Sequence, residues 1–196
     1  MLFSLIVHFG TEAIEPMNDL VKRALEFGFS HAGMLDASTL KVRHEVRDMC
    51  SADKCKMYDR TWMCPPACGS IEDNQKIIES YQTGLIVQTT GELEDDFDIE
   101  TMEEAGADQK VKFQAFAREL RNQFPNMLPL TSGACTLCET CTYPDSPCKN
   151  PIEASPSMEA FGLVVSDVCT ANGVSYYYGP RTITYTGCYL FQSQEV

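Results

Sequence analysis

The spacing of apolar residues along the chain predicts an alternation of helices and strands. Apolar side chains three and four positions apart are typical of helices that pack on a core, and short runs rich in β-branched and aromatic residues are typical of strands. We expect helices over residues 16–27, 40–49, 70–81, 108–124 and 155–171, and strands over residues 29–35, 85–90, 127–130 and 182–191. This order predicts an α/β or α+β fold, in which one domain over residues 1–196 has a central mixed sheet, flanking helices and two cysteine-rich metal-binding loops.

Residues that favour helix termini support several of these boundaries. Pro16 suits the first turn of a helix, and Ser155 precedes a proline that suits the last predicted one. Asp36 or Ser38 is expected to cap the second helix. Ser70 begins a sequence that resembles a capping box, which predicts that the third helix starts just after it.

An acidic stretch precedes the longest predicted helix. Eight acidic residues lie between Glu92 and Glu104, and we interpret them as a solvated loop and helix start. The helix that follows is expected to pack on the core through an apolar face that comprises Val111, Phe113, Ala115, Phe116, Ala117, Leu120 and Phe124.

Composition excludes several classes of protein. With 44% hydrophobic and 22% charged residues, the chain is not expected to be disordered. Its longest apolar run, near Leu2 to Phe9, is too short to span a bilayer and lacks the basic start of a secretory signal, so we expect a cytoplasmic protein without a membrane partner. The net charge of −13 argues against nucleic acid as a partner and favours a partner protein with a basic docking surface.

Ten cysteines are the strongest chemical signal in the sequence. Cytoplasmic thiols stay reduced, so clustered cysteines favour a metal or redox role over disulfides. Eight of the ten fall into two groups of four, one in a loop at residues 50–69 and one in a loop at residues 135–151. The first group is Cys50, Cys55, Cys64 and Cys68, and the second is Cys135, Cys138, Cys141 and Cys148.

The second group favours iron and sulfide over zinc. Three cysteines at successive three-residue steps allow one tight loop to bind three corners of a cubane cluster, whereas zinc sites more often use two separated C-x2-C pairs. The usual cluster motif ends in C-x3-C-P, but here six residues separate Cys141 from Cys148. Cys148 is the candidate fourth ligand that is nearest in sequence.

The first group is less specific. Its C-x4-C-x8-C-x3-C spacing fits zinc or a cluster equally well, and only its pairing with the second group favours iron. Cys68 is expected just before a helix N-terminus, which favours a thiolate. Three basic residues either offset the charge of a cluster or are ordinary exposed residues: Lys54, Lys56 and Arg60. Trp62 either shields a metal from water or packs in the core.

The cysteine groups and the segments around them resemble a known family. The elements that carry the resemblance are C-x4-C, Tyr58, Trp62, Cys64-Pro65-Pro66, C-x2-C-x2-C, Cys148-Lys-Asn-Pro151 and the segment from Ser155 to Gly162. Together they resemble an uncharacterised family, rich in anaerobes, of predicted metal-binding proteins, over residues 18–191. The resemblance implies a metal or iron–sulfur role and no particular reaction.

The remaining candidate residues are more ordinary. Cys169 and Cys188 are interpreted as small buried apolar residues, with a redox dithiol or a substitute ligand as the alternative. His8, His31 and His44 lack the mutual spacing of metal ligands and are interpreted as structural or surface residues. Motifs for nucleotide binding, serine hydrolases and zinc proteases are absent from the sequence.

The sequence thus supports one leading hypothesis and two alternatives. The leading hypothesis is an electron-transfer protein with two [4Fe-4S] clusters, each held by one cysteine group, that exchanges electrons with a partner oxidoreductase. The first alternative is a cluster-dependent reductase that acts on a disulfide or small substrate. The second is an interaction module in which zinc only stabilises the loops.

Overall fold

The computed structural model describes residues 18–192, which form helices on both faces of a small sheet. Pro16, His8 and the apolar run at residues 2–9 lie outside this part of the chain. The helices are α1 (Asn18–Phe27), α2 (His44–Ser51), α3 (Ile71–Glu79), α4 (Ile99–Arg121) and α5 (Val165–Ala171), and the strands are β1 (His31–Asp36), β2 (Thr83–Glu92), β3 (Leu128–Leu130) and β4 (Thr182–Phe191). The predicted α/β or α+β class is confirmed.

The sheet has the strand order β1-β2-β4-β3, and each of its neighbouring pairs is antiparallel. The longest pairing aligns all ten residues of β2 with β4, from Thr83 opposite Phe191 to Glu92 opposite Thr182. The expectation of a mixed sheet is therefore wrong. Successive side chains point to opposite faces of a strand whichever way its neighbour runs, so this alternation does not fix the direction of the neighbouring strand.

Alternate residues of the central strands face two separate apolar cores. Leu85 and Val87 of β2 pack with α1 and α4, whereas Ile86 between them packs on the other face with Leu163. On the first face the Phe113 ring lies over Gly187 of β4, where an added Cβ would be 2.7 Å from that ring. Both faces of the sheet are therefore covered, and the segments that carry the cysteines lie around this fixed frame.

Helix α4 confirms the longest predicted helix and extends it toward its N-terminus. The Asp98 carboxylate accepts the N–H of Thr101 at 3.0 Å, so the helix begins at Ile99 within the acidic stretch. Phe113 and Leu120 of the predicted apolar face are buried. Val111 is 68% exposed, which corrects its assignment to that face, because it lies on a different side of the helix from the buried positions.

The predicted second helix begins later than expected. Asp36 does act as a cap, but of a short 3₁₀ helix at Ala37–Thr39, where it accepts the N–H of Ser38 at 2.9 Å. The α-helix α2 follows only at His44–Ser51. Leu40, which lies between the two, is extended and fully buried.

The first half of the predicted last helix is not helical. Pro156 accepts a hydrogen bond from the Thr131 N–H at 2.9 Å, and Met158 donates one to the Thr131 carbonyl at 3.0 Å. Gly162 adopts a φ of +90°, and the helix α5 starts only at Val165. Backbone hydrogen bonds to the residue after β3 thus override the local preference for a helix, so this part of the prediction is wrong.

No helix in the part of the chain that the structure describes combines the length and apolar character needed to cross a bilayer. The acidic stretch is mostly exposed, as expected for a solvated loop and helix start.

The predicted N-cap of α3 can be tested by removing its side-chain hydroxyl. Ser70 Oγ accepts the Asp73 N–H at 3.1 Å. We expect Ser70→Ala to lower the free energy of unfolding by about 1 kcal/mol, because a donor in the first turn loses its partner. Chemical denaturation measures this loss. The control is Ser175→Ala, at an exposed position whose carbonyl, not its hydroxyl, is hydrogen-bonded; an equal loss in both variants would contradict the role of the cap.

Candidate metal centre

The first cysteine group lies in and after the last turn of α2. Cys64 is buried, Cys50 and Cys68 are half-buried, and Cys55 is exposed. The four are electrostatic neighbours, since charge on Cys55 affects Cys50 and Cys64, and charge on Cys50 and Cys64 affects Cys68. The structure therefore brings the four predicted ligands of the first site into one neighbourhood.

The backbone of the first loop is held in an unusual shape. Asp53, Lys56 and Asp59 have left-handed conformations with φ of 49°, 57° and 54°. Such conformations cost about 1 kcal/mol or more each and persist only where the surrounding structure fixes them. The Asp53 carboxylate accepts the Tyr58 N–H at 2.9 Å, and the Asp59 N–H donates to the Pro65 carbonyl at 2.8 Å. These hydrogen bonds fix the path between Cys50 and the later cysteines.

Two charged side chains flank the first group. Burial raises the pKa of Cys50 and of Cys68, and Arg47 lowers both. Arg47 lies one helical turn before Cys50, and its guanidinium donates to the Gly69 carbonyl at 3.0 Å. Glu159 acts in the opposite direction and raises the pKa of Cys50. Arg47 Nε and Glu159 Oε2 are both buried without a hydrogen-bond partner among the described residues.

The predicted thiolate at Cys68 is not supported by its surroundings. Burial raises the pKa of Cys68 to about 11, and its thiol donates to the Ala160 carbonyl at 3.5 Å. The N-terminus of α3 does not compensate, because Ser70 caps it by accepting the Asp73 N–H. A nearby positive charge favours the charged form of Cys68, and the Arg47 side chain supplies one.

The four members of the second cysteine group line one small cavity, with a volume of about 20 Å³. Their four thiols are half-buried. Charge on each of the other three affects Cys135. The residues that line the cavity are Thr61, Trp62, Met63, Cys135, Leu137, Cys138, Cys141, Thr142, Cys148, Lys149, Asn150 and Ala154. The structure thus brings together the four predicted ligands of the second site, Cys148 included.

Polar hydrogens point at the sulfur atoms of this cavity. Asn150 Nδ2 donates to Cys138 Sγ at 3.2 Å. Burial raises the pKa of Cys135, and a hydrogen bond from the Leu137 backbone N–H lowers it. Hydrogen bonds of these kinds orient thiolates and set the potential of the metals that they bind.

A buried hydroxyl lies between the two cysteine groups. Thr61 lines the cavity of the second group, and its Oγ1 is buried with no hydrogen-bond partner among the described residues. The Thr61 hydroxyl also lies beside Cys64. Burial raises the pKa of Cys64, and the nearby Thr61 hydroxyl lowers it.

The two cysteine loops are in direct contact. Trp62 Nε1 of the first loop donates to the Ser146 carbonyl of the second at 3.0 Å. The Tyr143 hydroxyl of the second loop donates to the Asp59 carboxylate at 2.6 Å, and the Trp62 and Tyr143 rings meet edge to face with centroids 5.0 Å apart. Charge on Cys141 also affects Cys64. The two groups are therefore adjacent parts of one region of the molecule.

Within residues 18–192, no three or more His, Cys, Asp or Glu side chains form a group that could hold a single metal ion as they stand.

A family model now places this cysteine pattern among known proteins. It matches residues 33–191 and carries the description "Predicted metal-binding protein (DUF2284)". The chain belongs to this family. The matched range contains both cysteine groups and begins somewhat later than residue 18, where the resemblance in the sequence was expected to start. Comparison with curated proteins and with solved structures gave no match.

Other candidates from the sequence are exposed or have partners other than the cysteines. Lys54 and Lys56 are exposed, and Arg60 is paired with Asp53 at 3.5 Å. His31 stacks on the Tyr178 ring with centroids 3.7 Å apart. His44 is exposed and lies 3.3 Å from Glu72. The two histidines thus have the structural and surface positions that were expected.

Cys169 and Cys188 are both fully buried. Gln88 Nε2 donates to Cys169 Sγ at 3.7 Å, and burial together with the nearby Cys169 raises the pKa of Cys188. Neither residue lines the cavity of the second group. Their positions fit the interpretation as small buried residues of the core.

Sequence reasoning missed the polar residues that surround the thiols. Arg47 was detectable, because it precedes Cys50 by three positions in a predicted helix. Glu159 and Asn150 lie inside the segments that carry the family resemblance, but nothing in the sequence indicates that they approach sulfur. Thr61 carried no signal at all.

Proposed function

We propose that the chain is an electron-transfer protein that holds two [4Fe-4S] clusters and exchanges electrons with a partner oxidoreductase. The observation that carries this proposal is the cavity lined by Cys135, Cys138, Cys141 and Cys148. The other cluster is assigned to the first group, which is Cys50, Cys55, Cys64 and Cys68. The family to which the chain belongs is described as predicted to bind metal, which supports the coarser part of this proposal.

The donor set fits a cluster better than zinc. A zinc ion needs its four sulfur ligands at about 2.3 Å from one point, whereas a cubane takes one thiolate at each of four separate irons. The four cysteines of the second group line one small cavity, and no three His, Cys, Asp or Glu side chains among the described residues are grouped to hold a single ion, which favours the second arrangement. The Asn150 amide and the Leu137 N–H already point at two of the sulfur atoms, which is the kind of hydrogen bonding that adjusts cluster potentials.

The residues around the thiols have separate roles in this proposal. A [4Fe-4S] cluster supplies one-electron chemistry when it is bound. Arg47 stabilises negative charge on Cys50 and Cys68. Trp62 limits the access of water to the cavity of the second group. The contacts of Trp62 and Tyr143 across the two loops keep both cysteine groups in one region, which suits electron exchange between them.

The proposed partner has a basic docking surface. The net charge of −13 supports an encounter that is steered by electrostatics and weakens as salt is added. The proposal includes a cytoplasmic location, where the thiols stay reduced until metal binds.

The test is the metal and sulfide content of the full chain purified without oxygen, with visible absorption recorded before and after dithionite. We expect about eight iron and eight sulfide ions per chain and loss of the broad visible absorption on reduction. About four of each would restrict the proposal to one cluster.

Two other results would replace the proposal. Stoichiometric zinc without sulfide would favour an interaction module that zinc stabilises. Clusters that reduce a disulfide or another small substrate in the absence of any partner protein would favour the reductase.

A further inference from the structure

A groove runs along the contact between the two cysteine loops. Its volume is about 630 Å³, which is within the range of sites for small molecules. Trp62, Leu128 and Phe161 contribute apolar walls, and the groove reaches Cys68 of the first group and Cys148 of the second. A molecule in this groove therefore lies next to both cysteine groups at once.

The aromatic wall of the groove is already in place. Trp62 is half-buried, and its indole is held by the hydrogen bond to Ser146 and the edge contact with Tyr143. Phe161 is 4% exposed and belongs to one of the two apolar cores. Fixed aromatic rings bind flat apolar molecules with little loss of side-chain freedom on binding.

The charge of the groove limits what it can accept. Among the residues that the structure describes, Asp145 is the one charged residue that lines it. The chain as a whole carries a net charge of −13. An anion would therefore meet repulsion without a positive partner, whereas a neutral molecule or a cation would not.

We propose that this groove binds a small aromatic molecule that is neutral or positively charged and lies against Trp62. This inference goes beyond the proposed function. Cys68 and Cys148 are the proposed cluster ligands that line the groove, and its aromatic and proline walls come from other residues. An electron carrier that has only protein partners does not need a site for a small molecule, so this site adds to the proposed function.

Three probes that share one ring system and differ in charge test the proposal. They are 1-naphthalenemethanol, 1-naphthylmethylamine and naphthalene-1-sulfonate, titrated by calorimetry into the full chain as purified without oxygen. We expect the alcohol and the ammonium ion to bind with one site per chain and the sulfonate to bind at least about tenfold more weakly. Equal binding of all three, or no binding of any, would overturn the proposal.

Two variants locate the site. Ala67 lines the groove, and Ala67→Leu is expected to weaken binding of the alcohol at least about tenfold by filling the space. Ala52→Leu makes the same change at an exposed position outside the groove and should leave binding unchanged. Asp145→Asn, at an exposed residue, is expected to remove any preference for the ammonium ion over the alcohol.

Circular dichroism and metal content, measured for each variant, separate loss of the groove from loss of the fold or of the metal. Equal binding by the Ala67 and Ala52 variants would contradict the placement of the site. The metal analysis of the wild-type chain is a separate measurement, so failure of the cluster proposal and failure of the groove proposal are distinguishable.

Discussion

Cys138→Ser is expected to halve the iron and sulfide content, to about four of each per chain. Cys138 lines the cavity of the second group and accepts the Asn150 hydrogen bond at 3.2 Å. Cys55→Ser should cause a loss of the same size from the first group, in which Cys55 is the exposed member. The measurement is iron and sulfide per chain after anaerobic purification, together with the amplitude of the visible absorption.

The control for both variants is Cys169→Ser. Cys169 is buried outside the cavity of the second group, and a serine there can still accept the Gln88 hydrogen bond. We expect wild-type metal content in this variant. A similar loss in all three variants would mean that metal content follows general stability, and it would remove the assignment of ligands to the two groups.

The largest effect on stability is expected at Phe116 of α4. Its ring is fully buried and contacts Phe27, Phe29 and Tyr189 at centroid distances of 4.9, 5.8 and 5.8 Å. Phe116→Ala removes these contacts and leaves a cavity, so we expect the free energy of unfolding to fall by about 3–5 kcal/mol. Denaturant unfolding of preparations with matched metal content measures the change.

Phe97→Ala is the matched control, because Phe97 is 86% exposed in the loop before α4. Its expected change is within about 0.5 kcal/mol of zero. Comparable losses at Phe97 and Phe116 would show that Phe97 is buried against something other than the described residues, and a small loss at Phe116 would contradict the core as described.

The adjacency of the two cysteine groups has a consequence for how their variants combine. Trp62 and Tyr143 contact each other across the loops, so a change in one loop reaches the other. Variants in the two loops are therefore expected to have additive effects on metal content only if each variant leaves the backbone of its own loop unchanged. Neighbouring sites that share contacts otherwise couple.

Much of the secondary structure followed from local sequence. Strand β4 has the bounds that were predicted, Thr182–Phe191, and Ser70 caps α3 through the hydrogen bond that its sequence indicates. These elements depend on side-chain periodicity and on caps within one turn of the chain. The predictions failed where distant backbone decided the structure, as at Pro156, whose carbonyl bonds to Thr131 instead of continuing a helix.

The sequence by itself determined the candidate ligands and the family, because both depend on the kinds of residues and their spacing. Only the tertiary structure decided that the two groups adjoin, that Cys148 lines the same cavity as Cys135, and that burial raises the pKa of Cys68. These facts depend on contact between loops that follow β1 and β3, the two edge strands of the sheet. Spacing along the chain limits what a loop can reach, but packing across the molecule decides what it touches and how far each thiol is removed from water.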